Sequence, residues 1–208
     1  MTIKIQKDTK KARETTVQDK ERAGKWHKII NRRIWTGILF LTLSTVAFAD
    51  SQWNLTSSTL TYQVSHPFHH VEGISHAARG KGQCQAGKCE FLIATPVKSF
   101  DSGDSNRDLH MLQVTRGGQF PMVVVRTEFP ESDIQNGMIH ADLEVQFAGQ
   151  TIHYKQVPFE RKMEGNNVHL TGTIPATLTD FKIEPPSLLT IPIKNDIPVV
   201  VDMTWQKG

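Results

Sequence analysis

Residues 139–147 alternate without a break. Ile139, Ala141, Leu143, Val145 and Phe147 are apolar, and His140, Asp142, Glu144 and Gln146 lie between them. In an extended chain successive side chains point to opposite faces, so this stretch is a β-strand with one face in a core and one in water. A helix cannot use the pattern, because a 3.6-residue repeat would spread those apolar residues around its circumference. The same period recurs elsewhere. Leu60, Tyr62 and Val64 alternate with Thr59, Thr61, Gln63 and Ser65, while Ile197, Val199, Val201, Met203 and Trp205 share a face over 197–205. Ala148-Gly149-Gln150 marks a turn into a returning strand over 151–161, and Glu164-Gly165-Asn166-Asn167 another before a strand over 168–178. About eight strands follow from Trp53 onward. Antiparallel strands with one wet face must close around a common core, as a barrel or a sandwich.

Only one stretch reads as helical. Ser105-Asn106-Arg107-Asp108 has the form of a capping box ahead of Leu109 and Leu112. The helix should reach no further than Val114, since Gly117-Gly118 follows. Two irregular pieces interrupt the strands. Residues 96–104 contain Asp101-Ser102-Gly103-Asp104, and residues 179–196 run through Pro185-Pro186, Leu188-Leu189 and Pro192. The second is too apolar for a plain surface loop. It either plugs one end of the core or lines a ligand mouth.

The N-terminal region differs in kind. Residues 1–33 hold eleven Lys/Arg against four Asp/Glu, residues 34–48 are uncharged and mostly apolar, and Ala47-Phe48-Ala49 fits a signal-peptidase site. An apolar run of about 15 residues is short for a membrane-spanning helix, which needs roughly 20. The favoured reading is a basic n-region and signal peptide over 1–49, cleaved after Ala49. An uncleaved inner-membrane anchor is the alternative, and Arg32-Arg33 leaves the export route open. Residues 50–208 then form one domain with 13 Lys/Arg and 17 Asp/Glu. Its net charge of −4, against +3 for the whole chain, removes the electrostatic case for nucleic acid as a partner.

Cys84 and Cys89 flank a turn at Gln85-Ala86-Gly87-Lys88, so a disulfide across a hairpin is expected in an oxidising compartment. His66, His69, His70 and His76 cluster in sequence, but an extended chain does not make them converge. A metal site on His66, His69 and His70 is therefore only a weak alternative. Asp101, Asp104 and Asp108 lack the spacing of a calcium loop, and capping with an Arg107 ion pair explains them more economically. No G-x-S-x-G, H-E-x-x-H or glycine-rich phosphate loop occurs. No catalytic residue, no cofactor and no enzymatic activity are expected.

The run from Ser99 to Leu112, with Asn106-Arg107-Asp108 opening the helix and Phe120-Pro121 preceding the next strand, resembles the YceI-like family of periplasmic polyisoprenoid- and lipid-binding proteins. Trp53-Asn54-Leu55, Tyr62-Gln63-Val64-Ser65-His66, Phe147-Ala148-Gly149-Gln150-Thr151, Leu170-Thr171-Gly172 and Thr179-Asp180-Phe181-Lys182-Ile183 extend the resemblance over nearly all of residues 52–205. Lys182 departs from it, standing where the family usually has glycine. The Cys84/Cys89 pair and the His69-His70 doublet are not general family features either.

The resemblance implies an all-β, extended lipocalin-like antiparallel β-barrel of about eight strands with one short helix. It also implies a periplasmic carrier for an isoprenoid quinone, a polyprenyl phosphate or a similar lipid, with transient membrane contact. Tyr62, Val64, Phe91, Ile93, Phe100, Arg107, Leu112, Val123, Val125, Leu143, Val145, Phe147 and Phe181 are the expected ligand-binding residues, and His66, Arg107 or His110 the expected contacts of a head group. The alternative is a stress-related, metal- or redox-linked interaction protein whose barrel is filled.

Overall fold

The computed structural model describes residues 50–67, 69–188 and 190–208, without the side chains of His69 and Leu188. The leader expected over 1–49 lies outside the described residues. Eleven strands are β1 (Ser51–His66), β2 (His69–Ser75), β3 (Arg79–Gln85), β4 (Lys88–Pro96), β5 (Met122–Pro130), β6 (Met138–Phe147), β7 (Gln150–Glu164), β8 (Asn167–Ile174), the two-residue β9 (Ser187–Leu188) and β10 (Ile191–Pro192), and β11 (Val199–Lys207). Among the described residues the α-helix is α1 (Ser105–Val114). Eight strands close a ring in the order β1, β3, β4, β5, β6, β7, β8, β11, with β11 returning to β1 at Leu60↔Val201. Every pairing is antiparallel. The long β1 holds β3 against Ser51–Asn54 and β2 against Leu60–His66 on the same edge.

Two β-bulges decide which residues face inward. Trp53 and Leu60 are both buried although their positions differ in parity, and a register shift between Leu55 and Ser57 reconciles them. On β7 the pairing moves from Leu143↔Tyr154 to Ala141↔Val157. Gln156 takes a φ of 54° there, and the Asp142 carboxylate accepts bonds from Gln156 N (3.0 Å), Gln156 Nε2 (3.2 Å) and Lys155 Nζ (2.7 Å). Tyr154 before the bulge and Phe159 after it thus both line the interior, and Val157 is buried in the core.

Glycine opposite an aromatic ring is a second recurring device. Gly73 faces Tyr62, Gly82 faces Phe91, and Gly172 faces Phe159 across neighbouring strands. A Cβ at any of the three would lie within 2.4 Å of the ring. The missing side chains let three large rings lie along the wall of the barrel.

Several local expectations are corrected. The strand expected over 168–178 stops at Ile174, because Pro175 has no N–H to donate to a ladder. Helix α1 is capped one residue earlier than the capping-box reading, by Asp104, whose carboxylate accepts from the N–H groups of Asn106 and Arg107. Residues 179–196 serve both roles that the sequence left open. Phe181 and Ile183 are buried in the core, while Pro186, Ser187 and Ile193 line a cavity.

Candidate ligand-binding site

The β3–β4 hairpin closes one end of the barrel. Its turn residues Ala86 and Gly87 have φ of 52° and 81°, the pairing that a two-residue type I′ turn needs. Cys84 and Cys89 fall opposite each other with Cα atoms 4.0 Å apart, joined by a disulfide and fully buried. Above them, Phe91 packs edge-on to Trp205 (4.8 Å between centroids) and stacks on Phe129 (5.5 Å). Trp53 and Ile134, the latter from the 3-10 turn Glu131–Gln135, complete this floor.

At the other end Tyr62 and Phe100 meet with ring centroids 5.6 Å apart. Between floor and opening lies a cavity of about 440 Å³. Its wall includes Leu60, Ile93, Val123, Val125, Leu143, Val145, Phe159 and Met203 from six strands. Around the opening stand Tyr62, Val64 and His66 on β1, Val71 on β2, and Phe100, Arg107, His110 and Met111 from the segment that crosses the end of the barrel. Phe147 and Phe181 meet edge-to-face at 5.2 Å beside Tyr154. That volume and lining suit an apolar small molecule.

The crossing segment is held by polar contacts. Arg107 donates from Nε to Ser102 Oγ (2.9 Å) and from Nη2 to the Ser102 carbonyl (2.7 Å). The Asp108 carboxylate accepts from Ser102 N (3.1 Å) and Ser102 Oγ (2.5 Å), and Asp101 and Ile74 exchange backbone hydrogen bonds at 2.9 Å. Asp108 therefore binds Ser102, and the expected ion pair of Arg107 with a neighbouring acid is replaced by two bonds to that serine. At the far end of the segment Arg116 donates to the Ala148 carbonyl and lies over the Phe120 ring, which covers Gly149. Burial raises the Tyr62 hydroxyl's pKa, with Asp108 adding to the effect. Burial also raises that of Tyr154, whose hydroxyl donates to Asp180 at 3.3 Å.

Of the residues expected at the site, Tyr62, Val64, Phe91, Ile93, Phe100, Arg107, Val123, Val125, Phe147 and Phe181 line the cavity, with Leu143, Val145, His66 and His110. Leu112 does not. Its side chain turns back onto Gly117 at the end of α1. Of the clustered histidines, His66 is buried in the cavity lining, His70 Nδ1 bonds the Ser65 hydroxyl at 3.1 Å, and His76 Nδ1 lies 3.2 Å from both the Thr59 hydroxyl and the Ser58 carbonyl, while the His69 side chain lies outside the described residues. Among the described residues no three His, Cys, Asp or Glu side chains are placed to share a metal ion. Sequence reading missed Tyr154, hidden by the bulge, and reached Pro186, Ser187 and Ile193 only as part of the apolar 179–196 segment, without naming them as site residues.

No family model matches the sequence, and no curated protein does. Solved structures do resemble the fold. Burkholderia cenocepacia BcnA aligns with a TM-score of 0.61 at 13% identity, over 71% of this chain and 95% of that one. A polyisoprenoid binding domain from Saccharophagus degradans aligns with a TM-score of 0.60 at 12% identity, over 75% and 98%. A mutant Campylobacter jejuni YCEI protein aligns at 0.50 and 13% identity, over 64% and 82%. The chain has the fold of these YceI-like and polyisoprenoid-binding barrels, and at such identity the likeness is one of fold.

Proposed function

We propose that this chain is a divergent YceI-like barrel protein that binds and carries a long apolar molecule in its interior. An isoprenoid quinone, a polyprenyl phosphate or a similar lipid is the ligand class in view. The observation that carries the reading is the cavity of about 440 Å³ with an almost wholly apolar wall. Each methylene moved from water into such a space gains roughly 0.8 kcal/mol, so even part of a long chain is held firmly. An interior of this size also speaks against the filled-barrel alternative. The similar fold of a polyisoprenoid binding domain supports the ligand class. On this reading Tyr62, Val64, Phe91, Ile93, Phe100, Val123, Val125, Phe147 and Phe181 contact the chain, and the function is binding rather than turnover.

Export to the periplasm belongs to the same proposal. It draws on the basic and apolar leader and on the Cys84–Cys89 disulfide, which suits an oxidising compartment. Native mass spectrometry and organic extraction of protein purified from its own cells test the carrier reading. A co-purifying apolar molecule, displaced by a hydrophobic fluorophore and excluded by Val125→Trp, is the expected result. Absence of any such molecule, together with no fluorophore binding, overturns it. N-terminal sequencing of the purified protein tests the leader: a start at Asp50 is expected.

A further inference from the structure

The charge on the cavity wall is one-sided. Among the described residues its ionisable side chains are His66, Arg107, His110, Tyr62 and Tyr154, with no carboxylate and no lysine. Arg107 and His110 are three residues apart on α1 and so share a helical face. Both side-chain hydrogen bonds of Arg107 are to Ser102, a neutral residue. The nearby Asp108 is held by Ser102 N and Oγ within the first turn of α1, where the helix N-terminus favours a negative charge. Asp108 is therefore satisfied off the cavity wall, and the guanidinium remains able to take an anion.

These polar groups stand only at the opening. The opposite end is closed by Trp53, Phe129 and Trp205, and the cavity lining there carries no charged side chain. The cavity is also at the smaller end of the range for one small-molecule ligand, which suits one chain better than two.

We infer that the barrel selects a single-chain amphiphile with an anionic head, a carboxylate or a phosphate, held tail-first with the head at Arg107 and His110. This rests on the carrier reading and narrows it. Arginine matches either head by paired, charge-assisted hydrogen bonds, and a cationic head would be placed against a like charge.

The test measures displacement of a hydrophobic fluorophore from the delipidated protein by four matched probes: tetradecanoate, tetradecyl phosphate, tetradecanol and tetradecylamine. The two acids should bind at least tenfold more tightly than the alcohol, and the amine more weakly than the alcohol. Arg107→Gln should weaken the acids about tenfold and leave the alcohol unchanged, while Arg107→Lys keeps most of the preference. Near-UV circular dichroism of both variants should match that of the parent. Equal binding of all four probes, or an Arg107→Gln loss shared equally by acid and alcohol, overturns the anion inference and leaves the carrier reading standing. Failure of all four to bind overturns both. A carboxylate that outcompetes the phosphate points to an acyl acid, and the reverse order to a phosphorylated lipid.

Discussion

The floor and the mouth of this barrel are built on different principles. The floor is regular strand and tight turn, with the Phe91 ring against those of Phe129 and Trp205 and a fully buried disulfide beside them. The mouth is assembled from irregular backbone. A helix with no buried residue is fastened through Ser102, and the 178–197 segment is stitched by Leu178 N to Asn195 O (2.9 Å) and by Asn195 Nδ2 to Thr179 Oγ1 (2.9 Å). Apolar area removed from water stabilises in proportion to its size, whereas an exposed hydrogen bond adds little because water competes for both partners. The mouth has buried residues of its own in Leu178, Phe181 and Ile183, but its helix contributes none.

That contrast breaks most directly at Trp205. Trp205→Ala removes the ring against which Phe91 rests and should lower unfolding free energy by about 3–5 kcal/mol in urea denaturation. A loss below about 1 kcal/mol would mean that the floor does not anchor the fold. The next effect is covalent. Replacing Cys84 and Cys89 together by alanine should cost about 2 kcal/mol, since the disulfide closes only a short loop. In the parent, labelling of thiols under mild reductant should be slow until denaturant is added, because both sulfurs are shielded from solvent.

At the mouth the expected stability effect is smaller and the functional one larger. Ser102→Ala removes the hydroxyl that Asp108 and Arg107 share and should cost about 1 kcal/mol. Hydrogen exchange of the first turn of α1 should accelerate while the strands stay protected. Uniform acceleration across the barrel would contradict the separation of floor from mouth.

How much of this was legible in the sequence follows the same division. Strand periodicity is a local signal, and it placed the β6 face, the β11 face and both hairpin turns. Leu143, Val145 and Phe147 on the cavity wall were readable for that reason, whereas Ile93 and Val125 were expected from the family resemblance. What escaped depends on contacts distant in sequence. The bulge that turns Tyr154 inward is fixed by Asp142, twelve residues earlier, and only the β6–β7 pairing reveals it. Leu112 looked like an inward helical residue, yet α1 follows the barrel end at an angle that sends it to Gly117. Pro186, Ser187 and Ile193 carry no period at all.

The Asp142 bulge lies in the wall between the two ends and responds to pH. Its bonds from Lys155 Nζ and from Gln156 N and Nε2 lower the carboxyl pKa to about 2 from an ordinary 3.8. A depressed folded-state value means stability that is present above pH 3.8 and is lost as pH falls toward 2. An NMR titration should place the Asp142 midpoint near 2, and Asp142→Asn should flatten the fall in stability across that window. The effect is small, because the group is exposed to solvent.

The smallest effect tests the mouth's irregular backbone at one residue. Lys182 ends the 3-10 turn Thr179–Phe181 with φ 55° and ψ 36°, a left-handed conformation that costs a side-chain-bearing residue about 1 kcal/mol. Here the sequence departs from the glycine that its resemblance to YceI-like proteins would suggest. Lys182 N still donates to the Thr179 carbonyl at 3.0 Å, a bond that glycine can make equally well. Lys182→Gly removes the clash of Cβ with the backbone but widens the freedom of the unfolded chain, and the two nearly cancel. A gain of about 0.5 kcal/mol, read as a rise in Tm of about 1–2 °C, is expected. A loss of stability would show instead that the lysine side chain holds the 178–197 segment in place, and the mouth would then owe more to side-chain contact than its exposed polar stitching suggests.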